Sequence, residues 1–226
     1  MKKQIITTLF VSTLLVTSAA FAATTTKSYG GFTFNVNTPT ITTKTSQQTQ
    51  RANTLSANQL AMKKQINTIV NTATTASKNY ESAVNGLSTA MLPADKQKEL
   101  ANQKAKIQKA TKDAMTVNID VAENGAITLT NYLNTTEAKK NLKNMTSTQK
   151  SAVKTNLNKL SSVDTTYTNL LSQTKTLTEQ VANDPTAAIL MASEFKKLKT
   201  VRTETVKQIK TIAKLTSAIT KSTGIK

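Results

Sequence analysis

The chain of 226 residues contains no cysteine, no histidine and no tryptophan, and it has only 12 acidic residues. Without cysteine there is neither a disulfide nor a thiol nucleophile, so a folded domain depends on a hydrophobic core for its stability. Without histidine the chain lacks the commonest metal ligand and the usual base near neutral pH. Nucleophilic catalysis of the serine–histidine or cysteine–histidine kind is therefore excluded.

The residues that remain offer little for other catalytic sites. The five glycines form no glycine-rich phosphate loop. Ser147 and Lys150 have the bare Ser-x-x-Lys spacing, but they stand where a helix is predicted to begin. Asp120 and Glu123 lie one helical turn apart, an arrangement more typical of a solvated surface than of a divalent-cation site. We predict a non-enzymatic protein without a cofactor or a metal site.

The first 22 residues have the layout of a secretory signal peptide. Two lysines precede an apolar run over residues 5–16, and small residues surround a cleavage site before Ala23. The run is shorter than the roughly 20 residues that span a bilayer. We expect cleavage and a periplasmic or secreted bacterial protein. The alternative is that the segment stays attached as a weak anchor.

Positive charge dominates the composition. Thirty lysines and arginines give a net charge of +18, and every acidic residue lies at or after Glu81. Such a surface attracts anionic polymers, lipid surfaces or acidic proteins. Only Arg51 and Arg202 carry a guanidinium group and aromatic residues are few, so sequence-specific nucleic-acid recognition is not expected. A compositional bias toward lysine is the alternative source of this charge.

Residues 23–45 are rich in threonine and lack a helical period, which indicates a flexible or extended leader. Inside this leader, residues 32–36 alternate apolar and polar side chains, as in a single β-strand. One strand is not a stable sheet, so three arrangements stay open. The strand packs on the helices, adds to the sheet of a partner, or stays mobile.

Residues 46–226 form the predicted helical bundle domain, because apolar residues recur there every three or four positions. The predicted long helices cover residues 46–92, 95–133, 146–182 and 186–222, with a short helix at 137–145. The apolar positions of the third long helix are Val153, Leu157, Leu160, Val163, Tyr167, Leu170, Leu177 and Val181. Asn124-Gly125 is a predicted break, Asp95 a predicted N-cap, and Gly224 a predicted helix end. Short connections favour an all-α, elongated, antiparallel up-down-up-down bundle of about four long helices.

The fourth predicted helix carries the clearest candidate site. Its apolar positions are Phe195, Leu198, Val201, Val206, Ile209, Ile212, Leu215 and Ile219. On the other side, six lysines gather within about 80° of arc and extend for about 38 Å. This basic stripe consists of Lys196, Lys199, Lys207, Lys210, Lys214 and Lys221. We predict that it binds an anionic partner without sequence preference; the alternative is an ordinary solvated helix face.

These observations favour an exported, non-enzymatic protein that associates with anionic envelope material or acidic proteins. Two alternatives stay open: a chaperone or assembly partner that holds protein clients, and a membrane-active helical protein. The signal-like segment, high pI and amphipathic helices resemble small, exported, lysine-rich helical chaperones of the bacterial envelope, which implies client binding. Heptad-like spacing also fits coiled-coil association, so the oligomeric state stays open.

Overall fold

The computed structural model describes residues 22–29, 32–39, 55–111 and 113–225. The chain forms two compact units, Met1–Leu55 and Ser56–Lys226. The predicted signal peptide, except for its last residue, lies outside the described residues, as do residues 46–54 of the first predicted helix. Leu55 and Ser56, which that prediction included, are not helical. None of the described helices is long and apolar enough to cross a membrane.

The first unit contains a two-stranded antiparallel sheet. Strand β1 covers Ala22–Tyr29 and strand β2 covers Phe32–Pro39, with Tyr29 opposite Phe32 and Ala22 opposite Pro39. The predicted strand at residues 32–36 is therefore part of β2. Its partner is the preceding threonine-rich segment, an arrangement outside the three expected from the sequence. Threonine favours strands through its branched Cβ, even where apolar alternation is lacking.

The second unit is all-helical over its described residues, which confirms the all-α class for this part of the chain. Its helices are α1 (Ala57–Met91), α2 (Ala94–Ala110), α3 (Ala114–Leu133), α4 (Thr136–Lys143), α5 (Ser147–Ala182), α6 (Pro185–Leu190) and α7 (Ala192–Thr223). The third predicted helix corresponds to α5, and the short predicted helix corresponds to α4.

Local capping chemistry explains where several helices begin and end. Ser56 and Thr146 each form a capping box with the glutamine three residues further on. Asp184 caps α6, whose first residue is proline. Gly224 ends α7 with a φ of 69°, a left-handed conformation that suits glycine. The ends predicted at Thr146, Asp184 and Gly224 are thus confirmed.

Two of the predicted long helices are interrupted. The second breaks between Thr111, the C-cap of α2, and Asp113, the N-cap of α3, whereas Gly125 lies inside α3. The break predicted at Asn124-Gly125 is therefore wrong. Pro93 rather than Asp95 is the N-cap of α2. The fourth predicted helix is divided at Met191, whose side chain is fully buried between α6 and α7.

Contacts between helix ends establish the directions of the long helices. Gln59 Nε2 donates to the Asp184 carboxylate at 3.1 Å, and Gln149 Nε2 donates to the Ala90 carbonyl at 3.3 Å, so α1 and α5 are antiparallel. Lys63 Nζ lies 2.9 Å from Glu194 Oε1. Helices α1 and α7 therefore begin at the same end of the unit and pack side by side in the same direction.

Helix α3 also runs in the direction of α1. Asn118 Nδ2 donates to Ser77 Oγ at 3.2 Å, and seven residues further along both helices Gly125 packs against Val84. Helix α2 runs the opposite way, because Lys104 pairs with Glu81 near the middle of α1. The long helices therefore alternate in direction along the chain, but α2 and α3 replace the second predicted helix, so the predicted bundle of four long helices is not confirmed. The reversal after Thr111 converts one predicted helix into a helical hairpin.

The core lies where α1, α3, α5 and α7 pack on one another. All eight apolar positions predicted on α5 are buried. On α7, Val206 is 36% exposed, and the polar Thr205 and Gln208 are buried instead. Helix α2 contributes no buried residue and lies on the surface of the unit.

Candidate functional site

The structure places every lysine of the basic stripe on the exposed face of α7. The buried residues of this helix, among them Leu198 and Ile212, lie on the opposite side and face the core. The core side therefore holds the helix in place, while the ammonium groups extend into solvent. Because α7 is continuous over the whole stripe, the six lysines keep the spacing that the helical repeat imposes.

Few acidic groups offset the charge of the basic stripe. Among the described residues, Lys207 is its one member with a carboxylate within 4 Å, and that contact, to Glu204 at 3.6 Å, is a surface pair three residues apart. Exposed pairs of this kind contribute little and are screened by salt. Lys199 Nζ lies 4.9 Å from the centroid of the Phe195 ring, a cation–π contact that leaves its charge intact.

Exposed lysines in this arrangement act as a row of point charges. Each ammonium group attracts a phosphate or carboxylate without the planar, bidentate geometry that arginine provides. Binding by such a row releases counterions from a polyanion, so its affinity falls steeply with salt. The stripe is suited to recognising charge density rather than one chemical structure.

The other polar groups singled out in the sequence do not converge on a site. Asp120 and Glu123 are both partly buried on α3. Across the described part of the chain, no group of three or more acidic, histidine or cysteine residues is placed to hold a metal ion. Ser147 and Lys150 are exposed in the first turn of α5, where Thr146 forms its capping box.

An ion pair joins α1 and α7 at the end of the unit where both helices begin. Hydrogen bonds from Lys63 and Ser193 lower the pKa of Glu194 to about 2. Glu194 also lies in the first turn of α7, where a negative charge is favourable. This pair lies beside the start of the basic stripe. Because Glu194 is paired with Lys63, its carboxylate does little to offset the charge of the stripe.

Polar groups within the core were not predicted from the sequence. Gln208 is fully buried, and neither end of its amide has a hydrogen-bond partner among the described residues. The hydroxyls of Tyr80 and Tyr167 are also buried without a hydrogen-bond partner among the described residues. Burial raises the pKa of both tyrosines far above its ordinary range, with a further contribution from Tyr167 at Tyr80 and from Glu204 at Tyr167. Tyr80 and Tyr167 fit an apolar period, so the pattern gave no sign that their hydroxyls lack partners.

A small cavity between α1, α2 and α3 was also not predicted. It has a volume of 240 Å³ and is lined largely by amide, hydroxyl and lysine side chains, with Leu100 and Val121 as apolar walls. The cavity exists because α2 folds back beside α1. A sequence interpretation that kept α2 and α3 as one helix could not reveal it.

The second unit is all-helical over its described residues and presents the basic stripe on the exposed face of α7. Comparisons of the chain with protein-family models, curated proteins and solved structures give no match. Its own residues are therefore the basis for proposing a function.

Proposed function

We propose that the protein is an exported, non-enzymatic helical-bundle protein that associates through the basic stripe with anionic material of the bacterial envelope or with acidic proteins. The single observation that carries this proposal is the exposure of all six lysines along one face of α7, with one weak acidic neighbour among the described residues. The signal-like N-terminal sequence supports a location in the periplasm or outside the cell.

The proposed bundle is elongated, and this shape suits a polymeric or planar partner. Helix α7 has 32 residues, and its lysines extend for about 38 Å. A flexible polyanion or an anionic lipid surface can contact several of these lysines at once. Each contact adds to the salt dependence, because each neutralised phosphate releases condensed counterions.

The proposal is tested by replacing three stripe lysines, Lys207, Lys210 and Lys214, with glutamine. Binding to double-stranded DNA and to phosphatidylglycerol vesicles is measured between about 50 and 200 mM salt, where phosphate contacts change affinity by orders of magnitude. We expect weaker binding and a salt slope on DNA that is shallower by up to about 0.9 for each phosphate that the variant no longer neutralises.

The matched control replaces Lys150, Lys154 and Lys159, three exposed lysines of α5, with glutamine. Both triple variants lose the same net charge, so non-specific attraction falls equally in the two. The proposal requires the stripe variant to lose clearly more affinity than the control variant. Equal losses, or parental binding by the stripe variant at every salt concentration, would show that the stripe is not a binding site.

Client holding and membrane activity stay predictions from the sequence. Among the described residues, large exposed apolar side chains include Leu60, Ile127 and Ile189, which stand on three different helices. Exposed apolar residues scattered in this way are ordinary on a protein surface. Suppression of client aggregation that resists salt would favour the first alternative, and release of dye from vesicles would favour the second.

A further inference from the structure

Two grooves run along the outside of the α1–α5 pair. One is lined by residues between positions 64 and 69 of α1 and between 172 and 180 of α5, and the other by residues between 71 and 82 and between 159 and 166. Because α1 and α5 are antiparallel, the two grooves follow each other along the pair. Their lining residues on α1 recur every three or four positions, so both grooves open on the same side of that helix. We call this side the α1–α5 face.

The α1–α5 face carries little charge, although the protein has a net charge of +18. Among the residues that line its two grooves only Lys64 and Lys159 are charged, and they stand at opposite ends of the face. By contrast, α2, α4 and α7 all bear exposed lysines. Two copies of so basic a protein repel each other where those lysines meet. The repulsion is much smaller where the uncharged face of one copy meets the uncharged face of another.

The α1–α5 face is also less costly to cover than its many hydroxyl groups suggest. Four of its threonine hydroxyls donate to the backbone carbonyl four residues earlier, at 2.9–3.3 Å; they belong to Thr68, Thr72, Thr166 and Thr176. Because each hydroxyl hydrogen is already bonded within its own helix, covering these threonines leaves no hydroxyl donor without a partner. The apolar residues in the grooves, among them Ile69, Val163 and Leu177, are buried beneath them.

The size of the α1–α5 face fits a small protein–protein interface. Between Lys64 and Ser82 it is about 27 Å long, and two helices side by side make it about 20 Å wide. Two such faces in contact cover roughly 1,100 Å² in total, just above the lower limit of about 1,000 Å² for a specific interface. An interface of this size, made mostly of hydroxyl and amide side chains, predicts a weak and reversible association.

We propose that the α1–α5 face binds the same face of a second copy of this chain and forms a two-fold symmetric dimer. Helix α7 lines neither groove, so the dimer keeps both basic stripes exposed. The dimer does not depend on the function proposed for the stripe, because the two respond to salt in opposite ways. Salt weakens the binding of a polyanion to the stripe, whereas it screens the repulsion between two basic copies and strengthens the dimer.

The experiment measures the association of the full chain by analytical ultracentrifugation, from about 10 μM to 1 mM protein and at about 50 and 500 mM salt. We expect a monomer–dimer equilibrium that shifts toward the dimer at the higher salt concentration. Thr72→Lys places an ammonium group near the middle of the face, once in each copy of the dimer. It should raise the dissociation constant about tenfold or more, because both charges would be buried without a partner.

Thr168→Lys is the matched control, since Thr168 is exposed on α5 but lines neither groove. It adds the same charge to the protein, so the general repulsion between copies rises equally in the two variants. The proposal is overturned if the parent stays monomeric at every concentration, which would leave the face to a different partner. It is also overturned if association weakens with salt, as contacts between lysines and acidic side chains would, or if Thr72→Lys associates as tightly as Thr168→Lys.

Discussion

At the scale of single residues, the core contains polar atoms at one level of the helices. Ser77 follows Lys63 on α1 by as many residues as Gln208 follows Glu194 on α7. Because the two helices are parallel and Lys63 pairs with Glu194, Ser77 and Gln208 lie at the same level of the core. Ser77 accepts a hydrogen bond from Asn118, whereas Gln208 has none among the described residues. An amide buried without partners costs about 1–3 kcal/mol. The buried amide of Gln208 therefore makes the core less stable than an apolar side chain of similar volume would.

We expect Gln208→Met to stabilise the protein. Methionine has a similar length and carries no strong hydrogen-bonding group, so the free energy of unfolding should rise by about 1 kcal/mol. Urea unfolding followed by circular dichroism measures the change. Gln173→Met on the exposed surface of α5 is the control and should have little effect. A lower stability of Gln208→Met would show that the amide makes bonds that stabilise the native core.

At the scale of elements, the close approach of α3 to α1 depends on a glycine. Gly125 is buried in α3, and a Cβ added there would lie 2.6 Å from Val84 Cγ1 on α1. Valine is branched at Cβ and has little rotamer freedom in a helix, so it cannot easily turn away. The residue predicted to interrupt a helix instead allows two helices to touch.

We expect Gly125→Ala to destabilise the protein by about 1–3 kcal/mol, the usual cost of overpacking a core. In a solvent-exposed helix the same change would stabilise by about 1 kcal/mol, so even the sign is informative. Thermal and urea unfolding provide the measurement. If the clash with Val84 is the cause, Gly125→Ala should cost less in a Val84→Ala background than in the parent. If the changes in the free energy of unfolding caused by Gly125→Ala and Val84→Ala simply add in the double variant, this explanation is contradicted.

Helix α5 and the hairpin of α2 and α3 show what the sequence could predict. Every predicted apolar position of α5 is buried, because its period is uninterrupted and a capping box marks its start. The break after Thr111 contains neither glycine nor proline, so the usual signals were absent. Asp113 was the one local indication, since it caps α3 by accepting a hydrogen bond from the Thr116 amide at 2.8 Å.

The basic stripe and the cavity between α1, α2 and α3 also differ in how far the sequence could predict them. Lysines spaced along one helix share a face whatever the tertiary fold, so the exposure of the basic stripe follows from local geometry, and its role stays a prediction. The cavity needs three helices in a particular arrangement. Its side chains lie far apart in the sequence, and no local pattern connects them.

At the scale of the whole molecule, the ion pair between Lys63 and Glu194 joins the first helix of the second unit to the last. Because the pKa of Glu194 is lowered to about 2 from an ordinary 4.5, the pair stabilises the folded state above pH 4.5. That contribution decreases as the pH falls toward 2, where the carboxylate becomes protonated. The Lys63 side chain is 42% exposed, so the effect is reduced by solvent screening.

We expect Glu194→Gln to lower the free energy of unfolding at pH 7 by up to about 1 kcal/mol. Below pH 2 the variant and the parent should be equally stable, because the parent has then lost the same charge. Urea unfolding at pH 7, 4 and 2 measures the difference. Glu179→Gln, an exposed change on α5, is the control. A difference between Glu194→Gln and the parent that is independent of pH would contradict the role of the carboxylate charge.

The antiparallel pairing of α1 with α5 has a consequence for the rate of folding. Gln59 and Asp184, which hydrogen-bond to each other, are separated by 125 positions in the chain. Helical proteins fold fastest when their contacts are local, and closing a long loop costs entropy before packing compensates for it. Helices α2, α3 and α4 all lie between α1 and α5 in the chain. We therefore expect the apolar face of α1 to stay incompletely covered until residues 147–182 have joined it, and folding to be slower than in a bundle whose consecutive helices pair.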